Sequence, residues 1–347
     1  MIHGGDIYRN IIDIDFSVNI NPLGACGAIE NSLKDFSKFI NLYPDYESES
    51  LVMKLSRIWN ADKKNIVCGN GASELVMATV HSIKPVKALV PIPSFGGYRY
   101  ALDSEDTQVI YHYLREENDF LLDESFLDCI KNENGLELVI IANPNNPTGR
   151  YIDSMLLREI IIECEKRKIN ILLDECFMEL SDDRDKTVIN NLSEWDNVFV
   201  LRAFTKSFAI PALRLGYIVG SNEKMIESIK KHLPEWNVSL AAQKAGEAAL
   251  SDVSYLDEAR KKINVERKYL INEFNDLGIK TYPSDTNFIL LNTKIPLYEN
   301  LLERRILIRK CEDFVGLGKD YYRIAVRNHN DNIVLIENIK EINKKEK

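Results

Sequence analysis

Residues 202–217 read RAFTKSFAIPALRLGY, with a lone lysine, Lys206, eight residues ahead of an Arg-Leu-Gly at positions 214–216. Upstream, an apolar run closes on an acidic pair, Asp174 and Glu175. A lysine amine condenses with an aldehyde where a cationic or desolvated setting keeps part of it deprotonated. Arg214 supplies that setting, and its forked donors suit a phosphate. Two surface cations flanking a loop would read the same way, because 44 Lys and Arg make such pairs common. The rest of the chain has to decide.

A phosphate-bearing aldehyde such as pyridoxal phosphate (PLP) needs further parts, and four segments supply them in order. CGNGASELVMATV (68–80) is a Gly-rich turn running into apolar residues at helical spacing. After Gly71, the backbone N–H groups of Ala72 and Ser73 and the Ser73 hydroxyl would lie at a helix N-terminus, where orphan donors and the dipole favour a phosphate. Ser73 read as a plain N-cap near Glu74 is an equal alternative. In PIPSFGGY (91–98), Phe95 or Tyr98 offers a ring to lie on a pyridine, although either is also a plausible core aromatic. LVIIANPNNPTGR (138–150) is a buried-strand pattern ending in turn formers, which places Asn146 at the carboxyl edge of a sheet. There it would donate to the phenolic oxygen of PLP. NILLDE (170–175) sets Asp174 at the end of another apolar strand, where an acid is costly unless paired. A protonated pyridine nitrogen is a suitable partner, and the pairing makes the ring an electron sink. The alternative is an Asp capping the following segment.

Together these segments resemble the fold type I PLP-dependent enzymes of the aspartate aminotransferase superfamily, over nearly the whole chain. The resemblance implies Lys206 as the Schiff-base lysine, Asp174 on the pyridine nitrogen, Asn146 on the ring oxygen and Phe95 as the stacking ring. It implies Gly71, Ala72, Ser73 and Arg214 around the phosphate. Tyr43, in NLYPDYESESL, is similar to a tyrosine that reaches the partner's cofactor phosphate in a homodimer with shared active sites. Ala203 departs from the family, which usually has Ser or Thr three residues before the lysine, and Thr205 is the residue placed to compensate. Within the superfamily, IHGGD, DFSVNINPLG, DECFMEL and LIRKCEDFVGLGKDYYRIAVR resemble the histidinol-phosphate aminotransferase branch and, more closely, its threonine-phosphate decarboxylase relatives of cobalamin synthesis. Phe177 is the most telling position, because aminotransferases of this type carry a tyrosine there.

Arg309 and Arg323 each sit in a strand-like pattern, so each must find an anion or solvent for five donors. Two arginines at one cofactor suit a phosphorylated amino acid, one meeting the carboxylate and the other the phosphate. By resemblance Arg323 takes the carboxylate and Arg309 the phosphate, with His3 and Asn19 as further substrate contacts. Arg327 reads instead as a solvated strand face. The expected reaction is decarboxylation of L-threonine O-3-phosphate, the alternative is transamination of histidinol phosphate or a related amine, and a non-catalytic PLP-fold binding protein is the outlying case.

Composition agrees with an ordinary globular chain of 347 residues, 45% hydrophobic and 28% charged. A net charge of -9 argues against nucleic acid as a main partner. Six cysteines without a CxxC pair and five scattered histidines read as reduced thiols in a cytoplasmic protein with no metal site. No charged-apolar-small leader opens the sequence, and no apolar run has membrane-spanning length. The pattern predicts an α/β fold: an arm over 1–40 packing with the small domain, a large PLP-binding domain over 41–240 with a mostly parallel, helix-covered sheet, and a smaller α+β domain over 241–347. In the last, helices are expected at 241–250, 257–277 and 298–305, strands at 307–311 and 321–326, and a charged closing helix.

Overall fold

The computed structural model describes residues 4–252 and 254–345, so His3 lies outside the described residues. The arm contributes a short strand, β1 (Ile14–Asp15). The large sheet contains β2 (Ile66–Gly69), β3 (Lys87–Ile92), β4 (Gln108–Tyr113), β5 (Leu138–Ala142), β6 (Asn170–Asp174), β7 (Val198–Ala203) and β8 (Gly216–Gly220), in the order β2-β8-β7-β6-β5-β3-β4. The strands β4, β3, β5, β6 and β7 run parallel. Only β8 is reversed, antiparallel to both β7 and β2. The mostly parallel, helix-covered sheet expected from sequence is therefore the fold observed.

The reversal has a geometric consequence. The carboxyl ends of β2, β3, β5, β6 and β7 share one edge, and the residues entering β8 begin at that same edge. Ligands bind at such an edge in open α/β sheets.

The strands are apolar on both faces because both faces are covered. Along β7, Val198 and Val200 face one core while Phe199 and Leu201 face the other. The first core takes the apolar stripes of the helices Glu49–Trp59, Glu124–Asn132, Ser154–Lys166 and Leu240–Ala249. The second takes those of Ala72–Ile83, Gly97–Asp103 and Glu223–Lys231. In Ser154–Lys166, the buried Leu156, Leu157, Ile160, Ile161 and Cys164 follow the helical period, and Asp153 caps the start by accepting from the Met155 and Leu156 N–H groups.

The C-terminal part builds a four-stranded antiparallel sheet, β12 (Arg309–Lys310), β13 (Tyr321–Ala325), β10 (Phe288–Asn292) and β9 (Lys280–Thr281). The helices Ser254–Asp276 and His329–Lys345 supply Leu270, Phe274, Leu335 and Ile339 to its core. The single strand expected at 307–311 is instead divided. Its first residues form β11 (Ile306–Leu307), which pairs in parallel with β1, and only Arg309–Lys310 pair with β13. The chain changes partner at buried Ile308 because the arm, not the sheet, covers β11. Phe16 of the arm is buried in the same core.

One charged cluster is locked inside the large sheet. Arg202, near the end of β7, is 1% exposed and donates to Glu175 and Glu179 at 2.6 Å each. Glu175 also accepts from the Thr187 hydroxyl at 2.6 Å and the Val188 N–H at 3.0 Å. Removing one member strands the others without water, so Arg202→Met is expected to destabilise the protein by about 3–5 kcal/mol. Adding Glu175→Gln to that variant should restore part of the loss, and denaturant melts of the two variants check both statements.

Candidate active site

The shared edge of the large sheet and the β12–β13 pair enclose a cavity of about 220 Å³. It gathers Ala72, Ser73, Phe95, Asn146, Asp174, Thr205, Lys206 and Arg214 from the sheet side, with Asn19, Arg309 and Arg323 opposite. Those residues come from segments far apart in the sequence. Tyr43 is not among them: it is 80% exposed and lies tilted against Trp236 with ring centroids 5.2 Å apart.

The turn between β2 and the helix Ala72–Ile83 is shaped by close approach. Gly71 caps that helix at φ +81° and ψ 166°, a region essentially reserved for glycine, and a methyl group built on it would overlap the Arg214 guanidinium. At Gly216 a methyl carbon would stand 2.9 Å from the Ala72 nitrogen. The helix start is thus drawn onto the start of β8, bringing the Arg214 guanidinium against Gly71 at the helix cap. Because Gly71 is the cap and no side chain caps the helix, the reading of Ser73 as an N-cap does not hold. Ser73 lies in the first turn with its side chain on the cavity.

Asp174 ends β6 with both carboxylate oxygens engaged. The Tyr98 hydroxyl donates to Oδ2 at 2.6 Å, and the Cys176 N–H donates to Oδ1 at 2.9 Å. The alternative of Tyr98 as the stacking ring is therefore not what is found: its ring is buried edge-on to Phe95, centroids 5.5 Å apart, and its hydroxyl steadies the acid. Burial, and then the Asp174 charge, push the Tyr98 hydroxyl well above its ordinary range, which keeps it a donor. The signal was present in sequence as an aromatic three residues after Phe95, but only the fold shows which strand end it meets.

Lys206 sits in the short turn Phe204–Ser207 after β7. The arm lies across this turn, since the Asn21 N–H donates to the Lys206 carbonyl at 3.0 Å and the Asn21 amide donates to the Ser207 carbonyl at 2.8 Å. Enclosure, followed by the positive charges of Arg323 and Arg214, lowers the amine to about 8. Ala203 offers no hydroxyl to the cavity, whereas buried Thr205 lines it.

The two arginines face each other across the β12–β13 ladder, where Arg309 and Arg323 are register partners. Arg323 donates to Asn146 Oδ1, and to the Ser17 carbonyl at 2.8 Å. Burial lowers its guanidinium to about 10, with the Arg309 charge adding to the effect. Arg309 donates to the Lys310 carbonyl at 2.6 Å and to Asp313 at 2.7 Å. Arg327 is not on a solvated face as expected. It donates to Asp331 and to the Asp15 carbonyl, over the Phe16 ring, and so ties the arm to the last helix.

Several polar atoms here are buried without a protein partner among the described residues: both amide atoms of Asn19 and Nε of Arg323. Native interiors rarely leave such groups unpaired, so they mark space for a polar ligand. An amine lowered to about 8, a helix start without a side-chain cap beside an arginine, and a fixed carboxylate together fit an aldehyde that carries a phosphate and a basic ring.

Residues 11–339 match the family model for class I and II aminotransferases. The threonine-phosphate decarboxylase of Salmonella typhimurium is 32% identical over 98% of this chain and 96% of its own. A histidinol-phosphate aminotransferase of Clostridium acetobutylicum superposes with a TM-score of 0.89 at 30% identity, covering 96% of this chain and all of that one. A second such enzyme, from Sinorhizobium meliloti in complex with pyridoxal-5'-phosphate, has the same fold at a TM-score of 0.85 and 22% identity, over 95% of this chain and 90% of that one. The chain belongs to the class I and II aminotransferase family and is a PLP-dependent enzyme.

Two outcomes are expected at this site. Because the neutral amine attacks the aldehyde, capture of PLP by the apoprotein should accelerate as pH rises through about 8 and level off above it. Stopped-flow absorbance would reveal a flat rate if Lys206 were not the residue captured. Gly71→Ala forces a strained backbone costing on the order of 1–3 kcal/mol and should weaken PLP retention about tenfold or more, read by equilibrium dialysis.

Proposed function

We propose that this enzyme decarboxylates L-threonine O-3-phosphate to (R)-1-aminopropan-2-yl phosphate and CO2, a step that would provide the aminopropanol linker of cobalamin. The observation that carries the reading is the pairing of Arg309 with Arg323: two buried guanidiniums on facing strands, lining the cavity that holds Lys206. Such a site suits a substrate with an anion at each end. The decarboxylase names among the relatives support the same choice.

In this reading Arg323 binds the α-carboxylate and Arg309 the phosphate ester, which together fix the substrate about its Cα. Asn19 Nδ2 donates to an oxygen of the substrate's carboxylate or phosphate, and its Oδ1 is left to accept from the substrate amine. Bound PLP supplies an electron sink for the bond broken at Cα. Asp174, its oxygens steadied by Tyr98 and the Cys176 N–H, keeps the ring nitrogen protonated. Asn146 gives its amide donors to the ring oxygen while its own oxygen accepts from Arg323. Phe177 adds no hydroxyl there, being packed edge-on against Phe288 with centroids 5.0 Å apart. Gly71, Ala72, Ser73, Thr205 and Arg214 would hold the cofactor phosphate, and Phe95 would lie against the ring. Lys206, once its amine holds a proton, would be the group placed to deliver it to Cα when CO2 leaves.

The reading includes a homodimer in which Tyr43 of one protomer would meet the partner's cofactor phosphate, supported by its exposed position beside Trp236. A second reading, transamination of histidinol phosphate, draws on the 30% identical structure at TM-score 0.89. In it Lys206 would be the group that takes up and moves the Cα proton.

Incubating the PLP-loaded enzyme with L-threonine O-phosphate separates the two. CO2 and aminopropanol phosphate formed without any α-keto acid establish decarboxylation; amine loss only when an acceptor is present moves the enzyme to the aminotransferases. Arg309→Ala should lower kcat/KM for the phosphorylated substrate about 10–100-fold, the weight of one charge-assisted hydrogen bond, and leave L-threonine almost untouched. An equal loss on both would make Arg309 structural.

A further inference from the structure

We propose that Asp313 is a specificity-determining residue, its carboxylate offsetting one of the two arginine charges at the substrate end of the cavity. The proposal rests on the reading of Arg309 as the phosphate-binding residue. Asp313 Oδ1 stands 2.7 Å from Arg309 Nη2, with side chains 21% and 7% exposed, and both residues line the cavity with Arg323.

Arg309 does not need Asp313 to stay in place. Its Nη1 donates to the Lys310 carbonyl at 2.6 Å, and its guanidinium lies over the Phe314 ring, 5.1 Å from the centroid. Those contacts already fix the plane of the fork and one of its edges. The carboxylate therefore acts chiefly through its charge. Two of the five guanidinium N–H groups are then spent, on Lys310 and Asp313, and three are left.

A phosphate ester presents three terminal oxygens in a tetrahedral array, so it can use the remaining donors from a side that avoids Asp313. A planar side-chain carboxylate has only two oxygens in one plane and must share the fork with an acid already on it. Like charges held close together inside a pocket are strongly disfavoured. Asp313 thus weakens the hold on every anion, and a side-chain carboxylate, with two oxygens against three, recovers less of that loss from the donors that remain, which disfavours dicarboxylic amino acids.

Asp313→Asn separates charge from shape, because the amide keeps an oxygen that accepts from Arg309 Nη2 and has the same size. In the PLP-loaded enzyme this variant is expected to lower the KM for L-threonine O-phosphate, and the inhibition constant of inorganic phosphate, by about tenfold. L-glutamate should become a measurable competitor, while the KM for L-threonine stays unchanged. Asp313→Ala should shift the same constants in the same direction, since the charge is lost there too. A KM for the phosphorylated substrate that is unchanged or raised in Asp313→Asn overturns the proposal and makes Asp313 a mere anchor for Arg309. Arg309→Ala run beside it locates the fault: a large loss there without a gain in Asp313→Asn sinks this inference alone, whereas no loss in Arg309→Ala removes the phosphate assignment and this inference with it.

Discussion

The site depends on two strand ends being held in one register, and the buried Arg202–Glu175 pair is what holds them. Glu175 directly follows Asp174, and Arg202 precedes Lys206 by four residues. Asp174 and Leu201 are already partners in the β6–β7 ladder, and the ion pair at 2.6 Å crosses the same two strands just beyond that point. A buried pair of this kind adds little net stability relative to an apolar replacement of the same shape. Its value is directional. A slip of one residue between β6 and β7 would leave two ions unpaired in a dry core, and it would also part the acid from the lysine.

Around that fixed frame the cavity is built more from backbone than from side chains. The reversed β8 returns the chain to the ligand edge, and the close approach at Gly71 and Gly216 lets Arg214 meet a helix start. Cationic groups accumulate as a result. Arg214 and Arg323 both act on Lys206, and enclosure strengthens them because water cannot screen what it does not reach. The low proton affinity of the amine comes first from its enclosure, and the charges collected for anions add to it, so they also prepare the lysine for an aldehyde.

Much of this was legible in the sequence because it is written in residue types with narrow uses. Apolar runs ending in Asn146 or Asp174 mark strands whose ends face a ligand, and a glycine turn before an amphipathic helix marks an anion site. What depends on a distant partner could not be read that way. ILIRK looks like one strand, yet its first half serves the arm and its second half the sheet, a division set by β1 and β13 together. Arg327 alternates with Arg323 like any solvated position, and only the packing of Asp15 and Asp331 around it reveals a clamp. Tyr98 carries an aromatic signal that fits a core, a stacking face or a donor equally well; the end of β6 chooses among them.

Decarboxylation and transamination draw on the same lysine, the same acid and the same phosphate cradle, so those residues cannot account for a choice between them. The bond that breaks is the one standing perpendicular to the conjugated plane, and that is a matter of rotation about the substrate's own bonds. Rotation is set by where the two ends of the substrate are tied. In the proposed reading those ties are Arg323, itself bonded to the Ser17 carbonyl and to Asn146, and Arg309, bonded to Lys310 and Asp313, so their separation is set by the β12–β13 ladder and by the arm. The positions that differ from an aminotransferase pattern, Phe177 and Ala203, touch the cofactor's surroundings without being either anchor. In the proposed reading, a change of reaction on this scaffold is a change in how the substrate is tied, and Phe177, packed edge-on against Phe288, offers the cavity no hydroxyl to restrain it.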